Sequence, residues 1–397
     1  MKVLVINCGS SSLKYQLINM EDENVMAIGI CERIGIEGSQ IKHNFDNKKL
    51  VIQGEMADHN QAGQYVVDAL ISEDHGVIES MDEISAVGHR IVHGGEFFSE
   101  STLINDEVIQ AVESCSDLAP LHNPANLIGI KACQIIMPNT PMVGVFDTAF
   151  HQTMPKRAYM YGIPYRYYRD YKVRRYGFHG TSHKYVARRT ANFLEKDIND
   201  LKIVVCHLGN GASVCAVDGG FSVDTSMGLT PLEGLIMGTR SGDIDPAIVK
   251  FIAEKDGLDV EGVNDILNKE SGILGLSEIS SDFRDLENAI ADGNSKAEMA
   301  MDVFHYRVAK YIGSYAAAMN GLDAVVFTAG LGENNKVVRA SICSYLGYLG
   351  VKVDEELNNV RGINRDFSAE GATVRSLIIP TNEELMIARD TMKIVNA

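Results

Sequence analysis

The chain is short of positive charge. Its 36 Lys and Arg face 53 Asp and Glu, a formal charge of −17 over 397 residues, so there is no cationic surplus to displace counterions from a nucleic acid, which argues against sequence-independent nucleic-acid binding. An anionic ligand must instead meet locally concentrated Arg and Lys. Long apolar runs are missing too: none approaches membrane-spanning length, and the opening Met-Lys-Val-Leu-Val-Ile-Asn turns polar too soon for a signal peptide. The expectation is a cytoplasmic protein with no membrane partner. The seven cysteines, an odd number with no Cys-x-x-Cys spacing, read as reduced core thiols, Cys206 and Cys215 among them. Two phosphate-handling signatures are absent: Gly-x-x-x-x-Gly-Lys-Ser/Thr, which excludes a P-loop enzyme, and the protein-kinase set. What is left, 22% charged and 45% hydrophobic, is a globular composition long enough for two or three domains.

The chain is organised around Lys202 to Gly220, where two short apolar runs, Ile203 to Cys206 and Ala212 to Val217, flank His207-Leu-Gly209-Asn210-Gly211. The pattern reads strand, tight turn, strand. Glycines at such a tip permit positive φ and bring bare backbone N–H groups to one anion. Lys2-Val-Leu-Val-Ile-Asn7-Cys-Gly9-Ser10-Ser11-Ser12-Leu-Lys14 lies over Lys202 to Val214 without a gap, Gly9 on Gly209. Either hairpin alone reads equally as an ordinary β-turn. The pair favours two related halves, each offering donors to a polyphosphate.

Between and beyond the hairpins, polar residues gather at the ends of apolar runs. Glu21 to Lys49 carries a weak strand pattern, and Gln61 to Ser72 reads as a helix. Ala86 to Val92 is a buried strand carrying His89 and Arg90 and followed by His93, Gly94 and Gly95; Arg90 there serves either an internal carboxylate or a ligand. Asn123 is expected to cap a helix whose first residue is Pro124, leaving His122 just outside an N-terminus. Asp147 stands at the end of the strand that begins at Pro141, where open α/β sheets bind ligands. Met154 to Arg175 reads as the join between halves, and Tyr176 to His183 as a loop leading into a helix, with Ser182 available as its cap. Asp224 to Pro246 is a long glycine-rich loop with Arg240 as its only cation, ending where Asp245 caps the next helix. Ala297 to Asn320 is the clearest helix, its stripe of Met301, Phe304, Val308, Ile312, Tyr315 and Met319 marking core. Asp323 to Asn335 reads strand, glycine turn, helix start, and Thr381 with Glu384 forms an expected capping box that leaves Glu383 for another task. Together these features suggest ATP held in a cleft between duplicated halves.

Asn7-Cys-Gly-Ser-Ser-Ser-Leu-Lys14, Gly88-His-Arg-Ile-Val-His-Gly-Gly95, His207-Leu-Gly-Asn-Gly-Ala-Ser213, Thr328-Ala-Gly-Leu-Gly-Glu-Asn334 and Pro380-Thr-Asn-Glu-Glu384 occur here in an order and spacing similar to the acetokinase family, the acetate kinases. The resemblance covers essentially the whole length, with conservative departures such as Leu331. It implies an α/β fold of the acetate and sugar kinase, Hsp70 and actin superfamily, with two domains of duplicated ribonuclease-H-like fold and an interdomain cleft. The expected division is 1–150, with 384–397 packing back on it, and 151–383 for the nucleotide-binding domain. The implied reaction is reversible transfer of the ATP γ-phosphoryl group to acetate, giving acetyl phosphate and ADP, within acetyl-CoA biosynthesis. A homodimer and Mg²⁺, with Mn²⁺ as a substitute, come with it.

Carried over by position, the resemblance makes Arg90, His122, Asp147, His179, Arg240 and Glu383 the catalytic set, with Asn7 and Glu383 at the metal. Ser10, Ser12, Lys14, His207, Gly209, Asn210 and Gly211 line the phosphates; Asp282, Arg284, Gly330, Gly332 and Asn334 meet the nucleoside end; Arg90, Val92, Leu121, Phe178 and Pro231 receive acetate. The residue types suit the task. A carboxylate nucleophile is already ionised at neutral pH, so the enzyme needs no general base and must instead offset repulsion between anions and stabilise charge on the equatorial oxygens, by direct in-line transfer. Arg90 and Arg240 are expected to do so, with His179 as a hydrogen-bond donor and His122 in support; Asp147 positions an arginine or the metal. Two alternatives stand beside this one: a propionate or other short-chain acyl kinase, and a nucleotide-gated structural or chaperone protein on the same fold.

Overall fold

The structure, a computed structural model, describes every residue except Leu121, so the pocket role expected of Leu121 lies outside the described residues. The chain forms two units, Met1–Gln152 with Asn382–Ala397, and Thr153–Thr381. Glu383 thus belongs to the same unit as Arg90 and Asp147.

The first unit opens with a meander of alternating strands, β1 (Lys2–Gly9), β2 (Ser12–Asn19), β3 (Asn24–Glu32), β4 (Gln40–Phe45) and β5 (Lys48–Gln53). Helix α1 (His59–Ile71), capped by Asp58, leads to β6 (Ile84–Ile91); β7 (Thr102–Leu103), α2 (Asp106–Ser114), α3 (Asn123–Ile136) and β8 (Met142–Phe146) follow. The sheet order is β5-β4-β3-β2-β1-β6-β8-β7, with β1, β6 and β8 parallel. One face buries Leu4, Ile6, Leu13, Tyr15 and Leu17 in a common core with Ala62, Val66 and Leu70 of α1. The weak strand pattern after Glu21 is therefore real β-structure, blurred because the other face of β3 to β5 is open to water: Ile28 and Val51 are exposed. The C-terminal helix Glu383–Val395 packs on this unit, where Ile387 and Thr391 lie so close to Gly88 that a Cβ there would collide with both.

The second unit builds a smaller sheet of the same plan. Helix α4 (Gly180–Phe193) precedes the meander β9 (Lys202–Leu208), β10 (Ala212–Asp218) and β11 (Phe221–Thr225); α5 (Ser295–Met319), β12 (Ala324–Thr328), α6 (Ala329–Asn334), β13 (Arg365–Asp366) and β14 (Arg375–Ile378) complete it. The order is β11-β10-β9-β12-β14-β13, with β9, β12 and β14 parallel. An antiparallel three-stranded meander beside two parallel strands thus occurs twice, β3-β2-β1-β6-β8 and β11-β10-β9-β12-β14, which supports the duplication inferred from the two hairpins. The six stripe residues of α5 are buried, worth on the order of 10 kcal/mol in apolar transfer. Its αL stop is Asn320, with Gly321 following at φ 143°. All seven cysteines are free and buried, and burial pushes Cys8, Cys31 and Cys133 up to about 12, as inert core thiols require. Among the described residues, no helix is long and apolar enough to cross a membrane.

Three local expectations need correction. Neither hairpin tip uses positive φ: Gly9, Gly209 and Gly211 are not among the left-handed residues, and their lack of a side chain serves close approach, since a Cβ on Gly9 would stand 3.1 Å from Ser12 Oγ. The Thr381/Glu384 capping box does not form; Asn382 caps the C-terminal helix by accepting from Leu385 N–H. Ser182 sits inside α4, not at its cap, which is His179 in the αL region at φ 55°.

The two hairpins also differ in register. Gly9 pairs with Ser12 across a two-residue turn, whereas Leu208 pairs with Ala212 across the three residues 209–211. A one-residue change turns every side chain of a strand to the other face. Asn7 therefore shares its face with Lys14, but His207 shares its face with Ser213, not with Val214.

Candidate active site

In the first unit the site is built where β1, β6 and β8 end together. Arg90, one residue before the end of β6, forks onto Asp147: Nε donates to Oδ1 at 3.0 Å and Nη2 to Oδ2 at 2.7 Å. Asp147 is 1% exposed, and its N–H donates to Ile91 O, so the carboxylate is fixed to the end of the neighbouring strand. The internal-carboxylate alternative for Arg90 is thus realised, yet its side chain keeps 25% exposure and can still face a ligand. Asp147 first, then Glu383 and Glu384, hold the guanidinium charged. Glu383, in the first turn of the C-terminal helix, is pushed up to about 7 by burial, with Arg90 opposing and Asp147 and Glu384 adding to the rise.

The backbone after β6 is gripped by amide side chains. Asn126 Oδ1 accepts from Val92 N–H at 3.0 Å while its Nδ2 donates to Cys8 O at 2.8 Å. Asn123 Oδ1 accepts from His93 N–H and its Nδ2 donates to His93 O. Asn123 is therefore no helix cap; α3 uses its first turn to lock the ends of β1 and β6, with His122 at the N-cap position and no side-chain capping bond. The carbonyl of Gly9 is hydrogen-bonded to His59 Nε2 at 2.8 Å. Asn7 and Lys14 line a cavity of about 230 Å³ with Glu384; Ser10 is exposed at the tip and Ser12 stands beside Gly9. Val92 is buried at the end of β6.

In the second unit His179, His207 and Arg240 converge on the longer tip. The rings of His179 and His207 stack at 4.2 Å, and each Nδ1 is hydrogen-bonded to a serine hydroxyl: His179 to Ser213 at 2.9 Å, His207 to Ser182 at 2.8 Å. A Cβ placed on Gly211 would lie 3.7 Å from Arg240 Nη1 and 3.8 Å from His179 Nε2. Arg240 donates to Pro231 O at 3.3 Å and pairs with no carboxylate among the described residues; desolvation lowers its basicity. Phe178 is buried next to His179 in sequence.

The loop bearing Arg240 is held from outside. Arg175 Nη1 donates to the carbonyls of Thr225, Ser226 and Met227, its Nη2 to Glu233, and Tyr161 shares the same carboxylate while accepting from Leu229 N–H. Asp243 accepts from Gly234 N–H and Tyr311 OH. A loop so fully tied needs no regular structure.

Beside the tip lies a cavity of about 560 Å³, in the range of small-molecule sites. Gly209, Asn210, Asp282, Arg284, Gly330 and Asn334 all line it. Arg284 forks onto Asp282, so those two form an exposed ion pair on its wall. Gly332 does not line it; that glycine packs against Phe327 and Cys206 backbone, and its carbonyl accepts from the buried Arg339. Sequence reading missed Phe283, Leu331 and Arg361 in the wall. It also missed Glu333, whose carboxylate accepts from Ala329 and Thr381 N–H, and so stabilises the turn in which Ala329 takes φ 64°. A carboxylate within a Gly-rich turn was the available signal.

A model of the acetokinase family matches residues 2–389. This chain belongs to the acetokinase family. Among its relatives, acetate kinase of Alkaliphilus metalliredigens (strain QYMF) is 62% identical over 396 residues, covering 100% of both chains. Acetate kinase of Clostridioides difficile (strain 630) is 59% identical over 397 residues, again covering 100% of both. The crystal structure of Porphyromonas gingivalis acetate kinase superposes with a TM-score of 0.97 at 47% identity over 99% of each chain. A propionate kinase from Francisella tularensis subsp. tularensis SCHU S4 follows at TM-score 0.92 and 42% identity, covering 99% of each chain. An acetokinase-family chain has ATP and ADP among its substrates, which suits the size and polarity of the 560 Å³ cavity.

Proposed function

We propose that the protein is an acetate kinase, transferring the ATP γ-phosphoryl group reversibly to acetate by direct in-line displacement. Arg240 carries the reading: a partly buried guanidinium with no carboxylate partner among the described residues, against bare glycine backbone and an imidazole edge, suits an anion the protein does not itself supply. Arg90, held rigid by Asp147, orients the acetate carboxylate, and the family resemblance assigns Val92, Phe178 and Pro231 to acetate as well. Arg240 and His179 stabilise charge on the equatorial phosphoryl oxygens, where preorganised donors cost no reorganisation. His122 supports them. The glycine tips, with Ser10, Ser12, Lys14 and Asn210, hold the phosphates, and the cavity beside Asn210 takes the nucleoside. Acetyl phosphate produced in this way is an activated acyl donor for acetyl-CoA formation.

The donor set fits Mg²⁺. This ion keeps most of its waters and takes one or two protein oxygens besides substrate phosphates, so no cage of three acidic or thiol ligands is required, and none occurs among the described residues. Glu383 and Asn7 would hold it; a carboxylate raised to about 7 among Asp147 and Glu384 gains most from a nearby dication. Bound Mg²⁺ would neutralise phosphate charge and orient the chain of phosphates. A cytoplasmic protein without membrane partners belongs to the same reading; the acidic composition supports the absence of nucleic-acid partners, and the family resemblance supports a homodimer.

The Francisella structure keeps propionate as a second reading, because one methylene in an apolar pocket discriminates by only about 1 to 3 kcal/mol. Incubation with ATP, Mg²⁺, hydroxylamine and either acetate, propionate or butyrate decides. Acyl hydroxamate with the highest kcat/KM for acetate is expected; preference for propionate reassigns the substrate, and ATP hydrolysis indifferent to any acid removes the kinase reading.

A further inference from the structure

The longer second tip places Ser213 on the same face as His207, where its fully buried hydroxyl touches two imidazoles: His179 Nδ1 at 2.9 Å and His183 Nε2 at 2.7 Å. A serine hydroxyl has one hydrogen to give. It can donate to one ring and accept from the other, in either sense, or use its two lone pairs to accept from both rings. In the first, Ser213 donates to His179 Nδ1 and accepts from His183 Nε2–H, so neutral His179 carries its hydrogen on Nε2. In the second both bonds reverse, and in the third Ser213 accepts from both rings; in either of these, neutral His179 offers a bare Nε2 lone pair.

We propose that Ser213 is a positioning residue that holds His179 in the Nε2–H tautomer, with His183 supplying the hydrogen that Ser213 accepts. Three observations favour this arrangement. The Nε2 and Cε1 edge of His179 is the one that faces Gly211, the position flanked also by Arg240 Nη1. An anion drawn there by the guanidinium is repelled by a lone pair and stabilised by an N–H. Arg240 already brings a cation to the same Gly211 position, so the ring serves there as a neutral donor, and in a neutral ring the tautomer decides whether that N–H exists. The register of β10 is what makes this possible, since the residue overlying Ser213 in the first hairpin, Leu13, is buried in the apolar core. The inference rests on the reading of His179 as a donor to the transferring phosphoryl group.

The test uses the full-length protein labelled with ¹⁵N in histidine. Long-range ¹H–¹⁵N correlation reports which ring nitrogen of His179 carries hydrogen, the resonances being assigned by comparison with His179→Gln. The wild type should show Nε2–H, and Ser213→Ala should shift His179 toward the other tautomer or a mixture. In steady state, Ser213→Ala should lose about 10²-fold in kcat, the cost of one transition-state donor, with KM for acetate and ATP changed less than about threefold; Ser213→Thr, which keeps the hydroxyl, should recover most of the loss. Hydrogen on Nδ1 in the wild type, or an unchanged tautomer and kcat in Ser213→Ala, overturns the proposal. Full activity in His179→Gln removes the donor reading instead, and the resonance measurement still judges Ser213 separately.

Discussion

Asp147 is where the geometry of the first unit makes its most quantitative claim. Its carboxylate is 1% exposed and engaged by both Nε and Nη2 of Arg90, so Asp147→Asn leaves a guanidinium without its main counter-charge at nearly constant shape. Breaking a buried pair from one side costs about 3 to 5 kcal/mol. Two features pull this case below that range: the Arg90 side chain is 25% exposed, and Glu383 and Glu384 also act on its charge. We expect about 2 to 3 kcal/mol of destabilisation, read from urea unfolding by far-UV circular dichroism because the chain has no Trp. In a cycle with Arg90→Ala and the double variant, the losses should fail to add by about 1 to 2 kcal/mol. The freed guanidinium should also lower kcat/KM for acetate by about 10²-fold while KM for ATP stays near wild type. Strict additivity, or wild-type kinetics in Asp147→Asn, refutes the idea that this carboxylate aims Arg90.

Glu383→Gln should lower kcat by about 10²-fold and raise the Mg²⁺ concentration needed for half-maximal rate, while unfolding shows no comparable loss; an unchanged Mg²⁺ titration removes Glu383 from the metal site. His89 is buried and its basicity is depressed to about 3, so the native protein resists a proton that the unfolded chain takes up at about 6.5. Its contribution is whole above pH 6.5 and is lost as pH falls toward 3, up to about 5 kcal/mol, so His89→Gln should flatten the pH dependence of unfolding in that window; equal slopes in variant and wild type contradict it. Gly238→Ala would set a Cβ 1.7 Å from Asn210 Oδ1 and push that side chain out of place in the nucleoside cavity. KM for ATP should rise about tenfold with KM for acetate nearly constant, and equal changes in both would argue for a general distortion.

The sequence by itself determined the elements whose signal is local. Apolar runs marked β1, β6, β8, β9 and β12, the three-and-four spacing marked α5, and the repeated hairpin announced a duplicated plan. Polar groups placed where an apolar run stops were legible for the same reason, namely Arg90, Asp147 and the tip at Asn210, while Arg240 stood out as the only cation of its loop. Only the tertiary structure decided how those groups are used. Asn123 looks like a cap until β6 lies beside it, and the Thr381/Glu384 box gives way to Asn382 because Thr381 N–H is taken by Glu333 from a distant turn. The face on which Ser213 stands depends on a three-residue turn that the gapless overlay with Lys2 to Lys14 conceals. Strand periodicity specifies that side chains alternate, but which of two opposite faces each one takes is fixed by pairing with a neighbour, and pairing is a property of the folded sheet.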